Sequence, residues 1–328
     1  MEQEKFTSNE PLWVISRALQ KTGAVLSKYD NIFVSLSGGK DSDVMLDIIL
    51  KVCPKDKLHF AFFDTGIEYE ATHRHLNYLE EKYDIQIERK RATVPVPLGV
   101  RKYGLPFISK DVSTKINCLQ NNNFDFALDG NRPYEELIEK YPRCKSAIEW
   151  WCNRKPKKRY NIDNQSYMKD FMIANPPTFK ISSRCCDGAK KSPSHTYEKE
   201  NSFDCKCLGL RKSEGGVRST KYKSCYSFEP SVDMQNMRPI WWFTDETEQL
   251  YIQTYDLTLS DCYTKWGMQR TGCAGCPFNS TFETDLLSVK ENEPKLYNAV
   301  TTIFKESYEY TRAYRDYRDK RRANDANS

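Results

Sequence analysis

Residues 31–42 read Asn31-Ile32-Phe33-Val34-Ser35-Leu36-Ser37-Gly38-Gly39-Lys40-Asp41-Ser42. The first six form a short apolar strand. The next six form a glycine-rich turn, and Asp41 opens an apolar run to Val52 that suits a helix. Open α/β sheets bind ligands where a strand ends in such a turn and passes into a helix. Two adjacent glycines let the backbone come close to a phosphate, and successive N–H groups at a helix N-terminus attract the anion. Lys40 adds a positive charge, and Ser37 and Ser42 add hydroxyls. The spacing is not that of a Walker A loop, which needs four residues between its first Gly and Gly-Lys-Ser/Thr.

The same rhythm continues outward from the turn. Residues 10–29 carry helical spacing through Leu12, Ile15, Leu19 and Val25. Residues 58–64 read as a second buried strand, 69–83 as an amphipathic helix and 85–88 as a third strand. Strand–helix–strand–helix–strand within about sixty residues predicts a parallel sheet with right-handed crossovers. The rhythm is lost over residues 96–180, which are rich in Asn, Tyr, Trp and basic residues and read as a helical and loop insertion. Strand-like segments return at 204–210 and 239–243. Residues 293–322 predict one long helix, with Tyr297, Phe304, Tyr308 and Tyr314 assigned to packing. The expected organisation is a first part of the nucleotide domain at 1–95, the insertion at 96–180, the rest of that domain with a cysteine cluster at 181–280, and a helical tail at 281–328.

The 38.4 kDa chain is 39% hydrophobic and 29% charged, the composition of a folded, soluble protein. No apolar run nears the roughly 20 residues of a membrane-spanning helix. The first ten residues show no export signal, so no membrane partner and a cytoplasmic location are expected. Fifty basic residues against 45 acidic ones give a net charge of +5. Basic side chains gather at Arg154-Lys155-Pro156-Lys157-Lys158-Arg159, at Lys190-Lys191 and over residues 211–223. Solvated loops are the bland reading of these runs, and phosphate or nucleic-acid contact is the functional one.

Twelve cysteines stand at positions 53, 118, 144, 152, 185, 186, 205, 207, 225, 262, 273 and 276. In a reducing compartment such a set points to a metal or redox site rather than to disulfides. Cys185-Cys186 and, after 86 intervening residues, Cys273-Ala274-Gly275-Cys276 offer four thiolates, which suit zinc or an iron–sulfur cluster. Cys53, Cys118, Cys144, Cys152 and Cys225 read as buried free thiols, and Cys262 is a reserve ligand.

The hexapeptide Ser37-Gly38-Gly39-Lys40-Asp41-Ser42 resembles the PP-loop of the N-type ATP pyrophosphatases and of the PAPS reductase family. Phe62-Phe63-Asp64-Thr65-Gly66-Ile67-Glu68 is similar to the Asp-Thr-Gly-x-Glu segment with which PAPS reductases help recognise adenosine. The Cys-Cys…Cys-x-x-Cys set resembles that of assimilatory APS reductases, which holds a [4Fe–4S] cluster. Gly209-Leu210-Arg211-Lys212-Ser213-Glu214-Gly215-Gly216-Val217-Arg218 is similar to the family's Gly-x-Arg-x-x-Glu-Ser-x-x-Arg, with Gly215 in place of Ser. The likeness runs on through Arg238-Pro239-Ile240 and Phe243-Thr244-Asp245, and covers residues 31–70 and 182–278.

This resemblance implies an α/β fold: a Rossmann-like parallel sheet of the adenine nucleotide alpha-hydrolase type, with a helical insertion and a helical C-terminal tail. It implies nucleotide contacts from Ser37, Gly38, Gly39, Lys40, Asp41, Ser42, Asp64, Thr65, Gly66, Arg211, Glu214 and Arg218. Lys40, Asp41, Arg211 and Arg218 take the catalytic roles, with Asp41 on Mg²⁺ if the nucleotide is ATP. Cys185, Cys186, Cys273 and Cys276 would hold the [4Fe–4S] cluster, with zinc as the alternative.

The likeness breaks at one point. Thioredoxin-dependent sulfonucleotide reductases use a cysteine in a C-terminal Glu-Cys-Gly-Leu-His segment, and this chain has no cysteine after Cys276. That departure favours the other branch, in which ATP is split to AMP and pyrophosphate, a substrate oxygen is adenylated, and a sulfur or nitrogen nucleophile displaces AMP. The implied reaction is sulfur transfer, with tRNA or DNA as acceptor and a sulfur-donor or reductant protein as partner. Two alternatives stand beside it: an APS or PAPS reductase releasing sulfite, and a non-catalytic nucleotide- or nucleic-acid-binding regulator.

Overall fold

The computed structural model describes residues 10–215, 222–230 and 233–327. The chain divides into two units, Met1–Thr93 with Lys190–Cys273, and Val94–Ala189 with Ala274–Ser328.

The first unit is built on a six-stranded sheet: β1 (Ile32–Leu36), β2 (Leu58–Asp64), β3 (Ile87–Arg91), β4 (Cys205–Leu208), β5 (Tyr226–Glu229) and β6 (Met234–Met237). Their spatial order is β3-β2-β1-β4-β6-β5. Every pairing is parallel except that of β5 with β6, which is antiparallel at the edge. The Rossmann-like parallel sheet expected from the sequence is therefore present. β1 is apolar throughout because both its faces are covered. Ile32, Val34 and Leu36 join Met45, Leu46, Ile49, Leu76 and Leu79 of α2 (Lys40–Val52) and α3 (Glu70–Tyr83). Phe33 joins Phe63, Tyr197 and Phe203 on the opposite face. The helix Pro11–Leu26 opens with proline in its first turn, where no N–H is needed. It buries Val14 and Ile15 against Val44 and Ile48. Asp43 of α2 and His75 of α3 meet at 2.7 Å, which ties the helix that follows the glycine turn to its neighbour.

The second unit is helical. Phe107, Ile116, Leu119, Leu137, Trp150, Trp151 and Phe171 share one core with Tyr314 of the helix Lys305–Asn327, so the insertion and the tail pack together. No helix among the described residues is long and apolar enough to cross a membrane.

Three sequence expectations need correction. The third strand is Ile87–Arg91, not 85–88. Asp84 adopts a left-handed turn at φ 49°, and Ile85 N–H still bonds back to Glu80 O at 3.2 Å, so pairing begins later. Residues 239–243 form turns rather than a strand, with Trp241 N–H on Arg238 O and Phe243 N–H on Ile240 O. Pro239 cannot donate to a ladder, and the strand there is the more polar Met234–Met237. The helix expected over 293–322 breaks at Phe304 into Pro294–Ile303 and Lys305–Asn327. Beyond the break Phe304 is buried and Tyr308 stacks on Phe282 at 4.9 Å.

Phe33 is fully buried in the centre of the sheet, with Tyr197 and Phe203 at 5.2 and 5.3 Å. Phe33→Ala is expected to cost about 3–5 kcal/mol, read as a lower urea midpoint. A midpoint unchanged from wild type contradicts this packing.

Candidate functional site

The glycine turn lies at the carboxyl end of β1, beside β4, where the strand order reverses. Gly38 has φ 65°, and a Cβ there would stand 2.7 Å from Thr72 Cγ2. A Cβ on Gly39 would stand 2.9 Å from Thr271 Oγ1. Both positions need glycine, one for conformation and crowding, the other for crowding alone. The turn is knitted by its own hydroxyls: Ser37 N–H donates to Ser42 Oγ at 3.0 Å and Gly39 N–H to Ser37 Oγ at 3.4 Å. Lys40 N–H and Thr271 N–H both donate to the Tyr263 hydroxyl at 3.2 Å. Burial pushes the Tyr263 phenol up to about 12, so it stays neutral.

Charged groups converge on this turn. Lys40 Nζ pairs with Glu248 and lies 3.9 Å from Asp41 Oδ2. Arg211 Nε pairs with Asp41, its Nη1 donates to Asp245 Oδ1 at 2.7 Å, and its Nη2 lies 3.4 Å from Glu248 Oε2. Two cations therefore face three carboxylates. Arg211 and Glu248 are 5% and 2% exposed, so water screens little of their charge, whereas Asp245 is exposed. Burial works against the Arg211 charge, but Asp41, Asp245 and Glu248 outweigh it and hold the guanidinium above its ordinary range. Burial raises the Glu248 carboxyl to about 7; Asp41 adds to the rise, and Lys40 and Arg211 oppose it. Glu248 Oε1 is buried and has no hydrogen-bond partner among the described residues.

The Asp-Thr-Gly segment ends β2. Gly66 N–H donates to Asp64 Oδ1 at 2.8 Å, and buried Thr65 donates to Glu68 Oε1 at 2.6 Å. The Cys273 thiol donates to Thr65 Oγ1 at 3.4 Å. Residues 271–273 therefore touch both the glycine turn and this segment. A cleft of about 410 Å³ opens beside Ser37, walled by Phe62, Glu68, Lys190, Lys191 and Lys206. That volume suits a small-molecule ligand.

The structure thus brings together Ser37, Gly38, Gly39, Lys40, Asp41, Ser42 and Arg211, and sets Asp64, Thr65 and Gly66 at the neighbouring strand end. Glu214 closes the exposed turn Lys212–Glu214. Arg218 lies outside the described residues. Cys185 is buried, while Cys186, Cys273 and Cys276 are partly exposed. Cys185 backs onto Gly99, where a Cβ would meet its Cα at 3.3 Å. Gly275, next to Cys276, accepts a hydrogen bond from the Tyr308 hydroxyl. The thiol chemistry suits iron, but among the described residues no group of three or more His, Cys, Asp or Glu side chains is placed to hold a metal ion. Sequence reasoning missed Tyr263, Thr271 and Glu248, and gave Asp245 no role. One signal was available, since Asp245 and Glu248 are three apart on one helix face.

Residues 31–151 match the family model of the phosphoadenosine phosphosulfate reductase domain. This match bears out the resemblance read from the glycine turn. An uncharacterized protein of Methanocaldococcus jannaschii, MJ0066, is 38% identical over 88 residues, 26% of this chain and 18% of its own length. A second from the same organism, MJ0973, is 23% identical over 299 residues, 89% of this chain and 54% of its own. The chain spans about a fifth and about half the length of these relatives. Among solved structures, PAPS reductase from Candida auris aligns with 13% identity and a TM-score of 0.44, covering 83% of this chain and 98% of that one. The U34-tRNA thiolase NcsA from Methanococcus maripaludis, with its [4Fe-4S] cluster, aligns with 14% identity and a TM-score of 0.37, covering 93% and 80%. Likenesses at that level assign no residue a role.

The raised Glu248 carboxyl predicts a pH dependence. A folded-state value near 7 against an ordinary 4.5 gives stability that is full below about pH 4.5 and lost as pH rises through about 7. The difference in unfolding free energy between wild type and Glu248→Gln should change by up to about 3 kcal/mol across that window. A difference that stays flat from pH 4.5 to 7 contradicts the assignment.

Proposed function

We propose that this protein binds an adenine nucleotide at the turn of residues 37–42 and splits ATP to AMP and pyrophosphate while activating an acceptor for sulfur transfer. The observation that carries this reading is the charge set at the turn: Lys40 and Arg211 held among Asp41, Asp245 and Glu248. Two cations can grip phosphate oxygens. The surplus of carboxylates would repel a nucleotide on its own and suits one that arrives with Mg²⁺, a cation that binds through a carboxylate or two plus phosphates.

In this reading an acceptor oxygen attacks the α-phosphorus, the bond from that phosphorus to the bridging oxygen breaks, and pyrophosphate leaves. Lys40 and the turn's N–H groups stabilise charge on the phosphates. Arg211 and Arg218 orient them. A sulfur nucleophile then displaces AMP from the adenylated acceptor, for which nucleic acid is the proposed class. Cys185, Cys186, Cys273 and Cys276 are the proposed cluster ligands; a cluster there would supply soft iron sites for sulfur chemistry.

One observation favours a second reading, reduction of a sulfonucleotide. The Cys273 thiol lies 3.4 Å from Thr65 in the Asp-Thr-Gly segment, which sets a sulfur beside the proposed nucleoside site.

Pyrophosphate release from Mg-ATP separates the two. Wild type should release it, and Lys40→Ala should lower the rate at least about 100-fold while the protein still melts cooperatively. Sulfite release from APS or PAPS, with no pyrophosphate from ATP under any acceptor, would move the assignment to the second reading. The cluster is tested apart from activity. Anaerobically purified Cys273→Ala should lose iron and its absorbance near roughly 400 nm, and equal iron in variant and wild type would remove Cys273 from the ligand set.

A further inference from the structure

The basic run at residues 154–159 is the motif that the nucleotide site leaves unused. Between Arg143 and Arg159 seven basic side chains stand against one carboxylate, Glu149. Two of the seven are engaged: Arg154 lies 3.4 Å from Glu135 Oε1, and Lys155 pairs with Glu149. Lys157, Lys158 and Arg159 are exposed and meet no carboxylate among the described residues.

The loop is held in shape. Asn161, 7% exposed, accepts Lys155 N–H at 2.8 Å on its Oδ1, and its Nδ2 donates to Lys155 O at 3.0 Å and Lys157 O at 3.4 Å. Lys158–Tyr160 form one 3-10 turn, closed by Tyr160 N–H on Lys157 O at 2.9 Å. Arg159 lies 4.8 Å from the Tyr160 ring centre and donates to its hydroxyl at 2.8 Å. Three exposed cations thus stand on a turn whose backbone is clamped, next to an aromatic ring that is 40% exposed.

A second cationic group belongs to the same helical unit. The helix Lys305–Asn327 carries Arg318, Lys320, Arg321 and Arg322 among Asp316, Asp319 and Asp325, with Arg318 paired to Asp319 at 2.8 Å and Asp325 accepting from the Tyr167 hydroxyl. Arg322 donates to Ser166 Oγ at 3.2 Å, and Tyr314 donates to Ser166 O at 2.9 Å. Ser166 is seven residues from Arg159, so their Cα atoms are at most about 25 Å apart. Like charges fixed at this density repel one another. A chain of regularly spaced anions relieves that repulsion and releases its own counterions on binding.

We infer that the clamped loop of residues 155–160, with the Arg322 guanidinium at Ser166, binds the phosphodiester backbone of a nucleic acid. The inference rests on the reading above only for that nucleic acid's role as acceptor. The binding itself needs no nucleotide.

Fluorescence anisotropy on the full chain, without ATP, tests it. The probes are a labelled DNA duplex of about 20 base pairs and an RNA hairpin of similar size, titrated over a salt series. Wild type should bind at least one, with log K falling linearly in log salt at a slope of about −3 to −5 for duplex. The triple variant Lys157→Glu, Lys158→Glu, Arg159→Glu should lose at least about 100-fold and about 3 from the slope. Asn161→Leu keeps every charge, and should keep the slope while binding about fivefold more weakly. Thermal melts of both variants check folding. Preference for DNA or for RNA identifies the source of the backbone. A triple variant within about twofold of wild type, or an affinity that ignores salt, overturns the inference. Mg-ATP binding measured without nucleic acid should be unchanged in the triple variant. Absence of ATP binding in wild type, with nucleic acid still bound, condemns the nucleotide reading, and loss of nucleic-acid binding alone condemns this one.

Discussion

A carboxylate stripped of water organises the end of the sheet that carries the glycine turn. Glu248 is almost fully buried, and a buried charge must be neutralised or paired. Lys40 comes to it from the glycine turn and Arg211 from the chain after β4, so one side chain ties together three segments far apart in sequence. Arg211 is in turn shared with Asp41 and Asp245. Removing either cation would strand a desolvated carboxylate, at a cost of about 3–5 kcal/mol. The network is therefore part of the fold as well as of the site. It also leaves net negative charge when every member is ionised. The raised Glu248 carboxyl is one way to shed that charge, and a divalent cation is another.

The backbone side of the site shows a matching economy. The Tyr263 hydroxyl takes hydrogen bonds from Lys40 N–H and Thr271 N–H, and one of these amides heads the helix α2. Such an amide is where an anion would bind. A phosphate oxygen that reaches Lys40 N–H has to displace the phenol or share the amide with it. Tyr263 is thus the group with which an anion at this amide would compete, and because it stays neutral it adds no repulsion of its own.

The strand, the turn and the helix of residues 31–52 were legible because three local signals agree there: apolar continuity, paired glycines and a polar helix start. The positions of Lys40, Asp41 and Arg211 followed from motif spacing. Glu248 and Tyr263 did not, because their role depends on burial and on partners more than 200 residues away, which no local pattern carries. The strands Tyr226–Glu229 and Met234–Met237 were hidden for a related reason. They are short, and pairing with each other and with Cys205–Leu208 makes them strands. The packing of the insertion against the tail was not legible, since the shared core with Tyr314 joins residues that are distant in the chain.

The cations of this protein fall into two sorts, and the difference bears on what each can bind. Lys40 and Arg211 are enclosed and already paired, so a ligand there must offer phosphate oxygens in a fixed geometry and bring its own counter-charge. Selectivity at such a site comes from shape and desolvation and depends little on salt. Lys157, Lys158 and Arg159 are exposed and unpaired among the described residues, so they gain from any extended run of anions and lose it as salt rises. A small nucleotide fits the first sort and a polymer the second. The basic run therefore need not serve the nucleotide, and the modest net charge of +5 understates how strongly positive this one surface is.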